Sequence, residues 1–121
     1  MNRFVIHNHF SKHHHHDLRL EMNGVLKSWA VPKGFPTKAN EKRLAIQVED
    51  HSIAYIHFMG KISEGEYGAG IVKILDKGYY NIIDKDKDHY KIAFHGQKIS
   101  GEYILRKFKD NWLLWKYKWR E

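Results

Sequence analysis

The sequence predicts a mainly β protein, a small antiparallel β-barrel with short helical or loop segments, and three observations carry that reading. Apolar and polar residues alternate with period two along most of the chain, while helical periodicity is weak. The alternating stretches are short and separated by Gly-bearing turns, with no helices between them to make parallel crossovers. Hydrophobic residues make up 42% of the 121 and aromatic residues 14%, enough to pack a single core.

Taken in order, "DLRLEMNGVLKSWAV" (17–31) reads as two strands around Asn23-Gly24, a pair suited to a tight hairpin turn. Pro32 and Pro36 bracket Lys33-Gly34 and mark a fixed turn after the second of these strands. "PTKANEKR" (36–43) reads as a loop or short helical turn, and "RLAIQVEDH" (43–51) alternates through Leu44, Ile46 and Val48. "GIVKILDKGYYNII" (70–83) predicts a hairpin with Asp76-Lys77-Gly78 at its tip. "YKIAFHGQKISGEYILRKF" (90–108) predicts another, with "DKDKD" (84–88) a solvated tip before it, and "NWLLWKYKW" (111–119) a last strand. Its Trp112, Trp115, Tyr117 and Trp119 read as aromatics buried by barrel closure. With no internal repeat and no linker, residues 1–121 form one domain.

Charge and composition narrow the function classes. Lys and Arg number 21 against 14 Asp and Glu, a formal charge of +7 that suits a polyanionic partner. Cysteine is absent, which excludes disulfides, thiol nucleophiles and Cys-based zinc sites; a metal has to be held by His and carboxylate. No apolar run approaches the roughly 20 residues of a membrane helix, and "MNRFVIH" is too short for a signal peptide. The expectation is a soluble cytoplasmic protein.

The chemistry concentrates in "HNHFSKHHHHDLRLE" (7–21), which holds six of the ten histidines. Strand alternation splits this run into two faces: His13, His15, Asp17, Arg19 and Glu21 on one, His14, His16, Leu18, Leu20 and Met22 on the other. Residues i and i+2 lie roughly 6.5–7 Å apart on a strand, so His15 and Asp17 can converge on one ion. His9, across the "FSK" turn, is the nearest third ligand. Two imidazoles and a carboxylate suit a divalent ion such as Mn²⁺ or Zn²⁺. Arg19, one step further, is placed to clamp a phosphate oxygen. Glu21 and Glu49 are candidates to orient the ligand imidazoles, or ordinary surface ion-pairing groups.

"FVIHNHFSKHHHHDLRLEMNGVLKSWAVPKG", "KRLAIQVEDH" and "EGEYGAG" together resemble the 3′-phosphoesterase domain of bacterial DNA ligase D and its stand-alone relatives. The resemblance implies a small β-barrel and a Mn²⁺-dependent hydrolase, with Zn²⁺ or Co²⁺ as alternatives, acting at DNA or DNA/RNA primer-template 3′ ends. Such enzymes remove a terminal ribonucleoside and then the remaining 3′-phosphate, and a ligase and polymerase on other chains are the implied partners. Position by position, the family's metal ligands fall on His9, His15 and Asp17. Its phosphate-binding or transition-state residues fall on Arg19, Lys33, Arg43, His51 and Tyr55. His51 reads either as a general acid for the departing 3′-oxygen or as a phosphate hydrogen-bond donor. The family departs here at Phe10, usually acidic, and at Ser63, usually proline. A non-catalytic basic barrel that binds nucleic-acid ends is the rival expectation.

Overall fold

The computed structural model describes residues 2–117. Nine strands form one antiparallel sheet: β1 (Asn2–Phe10), β2 (His15–Met22), β3 (Val25–Val31), β4 (Lys42–His51), β5 (Gly60–Ile62), β6 (Gly70–Asp86), β7 (His89–Gly96), β8 (Ser100–Phe108) and β9 (Asn111–Lys116). The order β1-β2-β3-β4-β9-β8-β7-β6, with β6 pairing back onto β1, closes eight of them into a barrel; β5 lies along the start of β6. A 3₁₀ turn (Ile53–His57) follows β4. No helix among the described residues is long and apolar enough to cross a membrane.

The hairpin signals resolve as read at Asn23-Gly24, where φ is +54° and +82°. The hairpin expected at Asp76-Lys77-Gly78 is not formed. Those residues lie inside β6, a single strand of 17 residues. The register on β1 steps from Ile6 opposite Asp76 to His7 opposite Ile74, so β6 absorbs one extra residue as a bulge instead of turning back. Asp76 is 5% exposed and accepts from the backbone N–H groups of Lys77, Gln97, Lys98 and Ile99 at 2.7–3.1 Å. It pins the β7–β8 connection to β6, a role visible only in three dimensions.

Alternation assigns the two sheet faces. Phe4, Ile6, Leu18, Leu20, Trp29, Val31 and Leu114 point inward and, with Phe94, Tyr103 and Trp112, fill the barrel. Of the closing aromatics, Trp112 is 6% exposed, Trp115 lies beside the Lys42 ammonium, and Tyr117 is exposed; Trp119 falls outside the described residues. The opposite, outer face of β1–β3 is unusual because it too is covered. Val5 and Leu26 pack there under Ile56 of the 3₁₀ turn, with Tyr55 and Ile74 at the edge. The excursion after β4 therefore roofs part of the barrel's outside and creates a sheltered cavity on it.

Candidate active site

Two adjacent strands build the floor of that cavity. His7 lies opposite Asp17, and His9 opposite His15. Directly paired residues share a face, so β1 and β2 present His7, His9, His15, Asp17 and Arg19 together on the outer side. Ser28, paired with Arg19 on β3, extends the same face. The cavity holds about 400 Å³ and is lined by His9, His15, Asp17, Arg19, His51 and Tyr55, among others.

His9, His15 and Asp17 offer ligand atoms that all lie within 4.8 Å of one another. Asp17 Oδ1 is 3.2 Å from His15 Nε2, and Oδ2 is 3.4 Å from His9 Nδ1. Each imidazole is fixed from behind: His9 Nε2 lies 2.7 Å from the Gly68 carbonyl, and His15 Nδ1 lies 2.7 Å from the His13 carbonyl. A carbonyl only accepts, so those nitrogens carry the protons. Nδ1 of His9 and Nε2 of His15 face Asp17, and these are the atoms that donate lone pairs to an ion once deprotonated. Burial alone would raise the Asp17 carboxyl, but the His15 hydrogen bond and the Arg19 charge hold it below the ordinary carboxylate value. The same hydrogen bond raises the pKa of His15. Two imidazoles of fixed tautomer and an ionised carboxylate are the donor set that a divalent ion such as Mn²⁺, Zn²⁺ or Co²⁺ takes.

Arg19 is 4% exposed and held on four sides. Its Nε–H donates to His7 Nδ1 at 3.0 Å, Nη1 donates to Ser28 Oγ at 2.9 Å, and Nη2 lies 3.4 Å from Asp17 Oδ2. Its Cζ sits 5.0 Å from the centre of the Tyr55 ring. Burial lowers its pKa from 12.5, yet a guanidinium remains charged at neutral pH. His51 Nδ1 lies 3.2 Å from Arg19 Nη1 and 3.1 Å from the Glu49 carbonyl, and the imidazole packs against Tyr55 with ring centres 4.9 Å apart. Burial, then Arg19, lowers the His51 pKa.

His7 is a site residue to which the sequence reading gives no role. It is fully buried and joins Arg19 to the roof, with Nε2–H donating to the Phe58 carbonyl at 3.0 Å. Its signal was parity: on a strand, His7 faces the same way as His9.

The remaining expected residues divide. Lys33 lies in the turn after β3 and is exposed; it lines a neighbouring depression with His13 and His15. Arg43 does not reach the cavity. It pairs with Leu114 and therefore starts on the inward face, where it binds Glu41 at 3.0 Å. The reason is a bulge: between Val48 and His51 the strand advances three residues while β3 advances two, from Ser28 to Leu26. That irregularity turns His51 onto the outer face, so the face expected to be common to Arg43 and His51 is broken. Glu21 orients no imidazole; it pairs with Arg3 at 3.1 Å. Glu49 reaches a ring through its backbone carbonyl, and that ring is His51.

Residues 7–107 match the family model described as the DNA Ligase D 3′-phosphoesterase domain. The chain is 44% identical over 123 residues to the multifunctional non-homologous end joining protein LigD of Mycolicibacterium smegmatis, covering 92% of this chain and 16% of that protein. It is 44% identical over 117 residues to its counterpart in Mycobacterium tuberculosis H37Rv, covering 93% and 15% respectively. For LigD of Pseudomonas aeruginosa PAO1 the identity is 41% over 126 residues, 96% of this chain and 15% of the relative. The chain thus spans about a sixth of the length of these relatives, aligned with one segment of each. A barrel whose outer face gathers His9, His15, Asp17 and Arg19, together with a family match over residues 7–107, gives one conclusion: the chain belongs to the DNA ligase D 3′-phosphoesterase domain family.

Proposed function

We propose that this domain is a metal-dependent phosphoesterase that heals nucleic-acid 3′ ends, removing a terminal ribonucleoside and then the 3′-phosphate to leave a 3′-hydroxyl. The observation that carries the reading is the convergence of His9 Nδ1, His15 Nε2 and the Asp17 carboxylate beside the buried Arg19 guanidinium. His9, His15 and Asp17 would hold the ion, with Mn²⁺ the first choice and Zn²⁺ or Co²⁺ alternatives. When bound, the ion supplies Lewis-acid charge to a phosphoryl oxygen.

The chain's own groups do the rest. In the first reaction water adds at phosphorus and the bond to the terminal nucleoside's 5′-oxygen breaks. In the second, the bond to the 3′-oxygen breaks. Both build negative charge on the same non-bridging oxygens. Arg19 meets that charge with a guanidinium that needs no reorganisation, because His7, Ser28 and Tyr55 already fix it. His51 acts as a phosphate donor rather than as a general acid: burial and Arg19 favour its neutral form, and Nδ1 accepts from Arg19 Nη1, which puts the proton on Nε2. Nε2–H is then free to donate. Lys33 adds charge at the rim. The proposed partners are DNA or DNA/RNA primer-template 3′ ends, with ligase and polymerase activities supplied elsewhere, as the relatives' end-joining names suggest.

The test is a 5′-labelled primer annealed to template, ending in a ribonucleotide or a 3′-phosphate, incubated with Mn²⁺ or with chelator. The expected result is stepwise shortening to a 3′-hydroxyl with Mn²⁺ only, lost in Asp17→Ala. Intact primer with every divalent ion, alongside tight binding in chelator, would establish the non-catalytic end-binding barrel instead.

A further inference from the structure

A second groove, of about 560 Å³, opens on the outer face of the barrel beyond the 3₁₀ turn, lined by Arg3, Ile56, His57, Lys77, Tyr79 and Lys98 among others. Its relation to the active site is set by one strand. Arg3 pairs with Tyr79 and Val5 with Lys77, so these four share the outer face, which β1 continues through Val5 to His7 and His9. Ile56 packs on Val5 and divides the two spaces. Tyr55 lines one side of the divide and His57 the other.

The groove's chemistry is one-sided. Neither Lys77 nor Lys98 enters an ion pair among the described residues, while Arg3 pairs with Glu21. The carboxylate in its wall, Asp76, is 5% exposed and has its oxygens on four backbone N–H groups. Tyr79, 51% exposed, lines the same groove. Unpaired ammonium groups in an open groove recognise a phosphodiester backbone without reading sequence.

The spacing gives a length. The six-residue step from Arg3 to His9 spans about 20 Å of strand at about 3.3 Å per residue. A B-form duplex rises about 3.4 Å per base pair, so the same distance holds about six base pairs, more than half a helical turn. We infer that this groove is a second nucleic-acid contact, holding a phosphodiester backbone of the primer-template duplex about six base pairs from the reacting 3′ end. The inference rests on the proposed reading of the site, because that reading fixes which end lies at His9.

The experiment is binding in chelator, by fluorescence anisotropy, of 5′-labelled hairpin duplexes of about twelve and about four base pairs to the wild-type chain and to Lys77→Ala/Lys98→Ala. Both lysines are exposed, so folding is checked by an unchanged melting temperature. The double variant is expected to bind the longer duplex about tenfold more weakly. Its salt slope should fall by about two, about 0.9 for each phosphate that the lysines no longer neutralise, and the shorter duplex should be unaffected. Equal weakening for both lengths, or none for either, overturns the inference. Length-dependent binding by a chain that hydrolyses nothing would keep the groove and remove the hydrolase. Hydrolysis with unchanged binding in the double variant would do the reverse.

Discussion

Arg19 Nε–H donates to His7 Nδ1 at 3.0 Å, and His7 Nε2–H donates in turn to the Phe58 carbonyl at 3.0 Å. This relay ties the proposed phosphate clamp to the roof of the cavity. It works only with neutral imidazole, and burial, helped by the Arg19 charge, pushes the His7 pKa down to about 4. His7→Ala leaves a buried charged donor unpaired, a loss of about 1–3 kcal/mol, or about 5–160-fold in kcat/KM. His7→Gln restores an acceptor and should recover most of it. Mn²⁺ affinity by calorimetry should stay within about twofold in both variants, since neither touches a ligand atom. Equal losses in metal affinity and turnover would mean that His7 merely supports the fold.

Gly68 carries the second positional constraint. Its φ of +77° is a left-handed conformation, and an added Cβ would lie 3.4 Å from His9 Cε1, the ring that its own carbonyl orients. Gly68→Ala should therefore weaken Mn²⁺ binding about tenfold by disturbing the tautomer-setting hydrogen bond, and cost about 1 kcal/mol of stability through the left-handed φ. Unaltered metal affinity would show that His9 needs no such support.

The parts of this molecule that follow from strand parity were readable from the chain. His15, Asp17 and Arg19 share a face because side chains alternate, and the same alternation sends Leu18 and Leu20 into the barrel. The parts that depend on broken parity were not. A bulge at Leu75 makes one strand of a sequence that reads as a hairpin, and a bulge before His51 separates it from Arg43. A local alternation pattern does not count the extra residue, because the partner strand decides where it goes. Glu21 paired with Arg3 for a related reason: an acid on the ligand face finds whichever cation the next strand supplies.

Asp76 is the clearest case of a residue whose value lies in distant contacts. Asp76→Ala would leave the N–H groups of Gln97, Lys98 and Ile99 without their acceptor, at about 1 kcal/mol or more each. A loss of about 3 kcal/mol or more in urea unfolding is expected, with Asp76→Asn intermediate because one oxygen survives. A cost below about 1 kcal/mol would show that water replaces the carboxylate freely.

Tyr103 predicts how stability responds to alkali. The residue is 1% exposed and its hydroxyl donates to the Pro36 carbonyl at 2.9 Å. Burial, with a smaller contribution from Glu41, pushes the phenol from 10.0 up to about 12. Between those values the unfolded chain releases the proton and the folded chain keeps it, so the folded state binds more protons and unfolding becomes easier as pH rises. The contribution is complete below pH 10 and decays toward pH 12, by about 2–3 kcal/mol in all. Tyr103→Phe should cost about 1 kcal/mol at neutral pH through the missing hydrogen bond, yet show a flatter alkaline limb in denaturant unfolding. Parallel alkaline decline in the two proteins would place the titrating group elsewhere in the barrel.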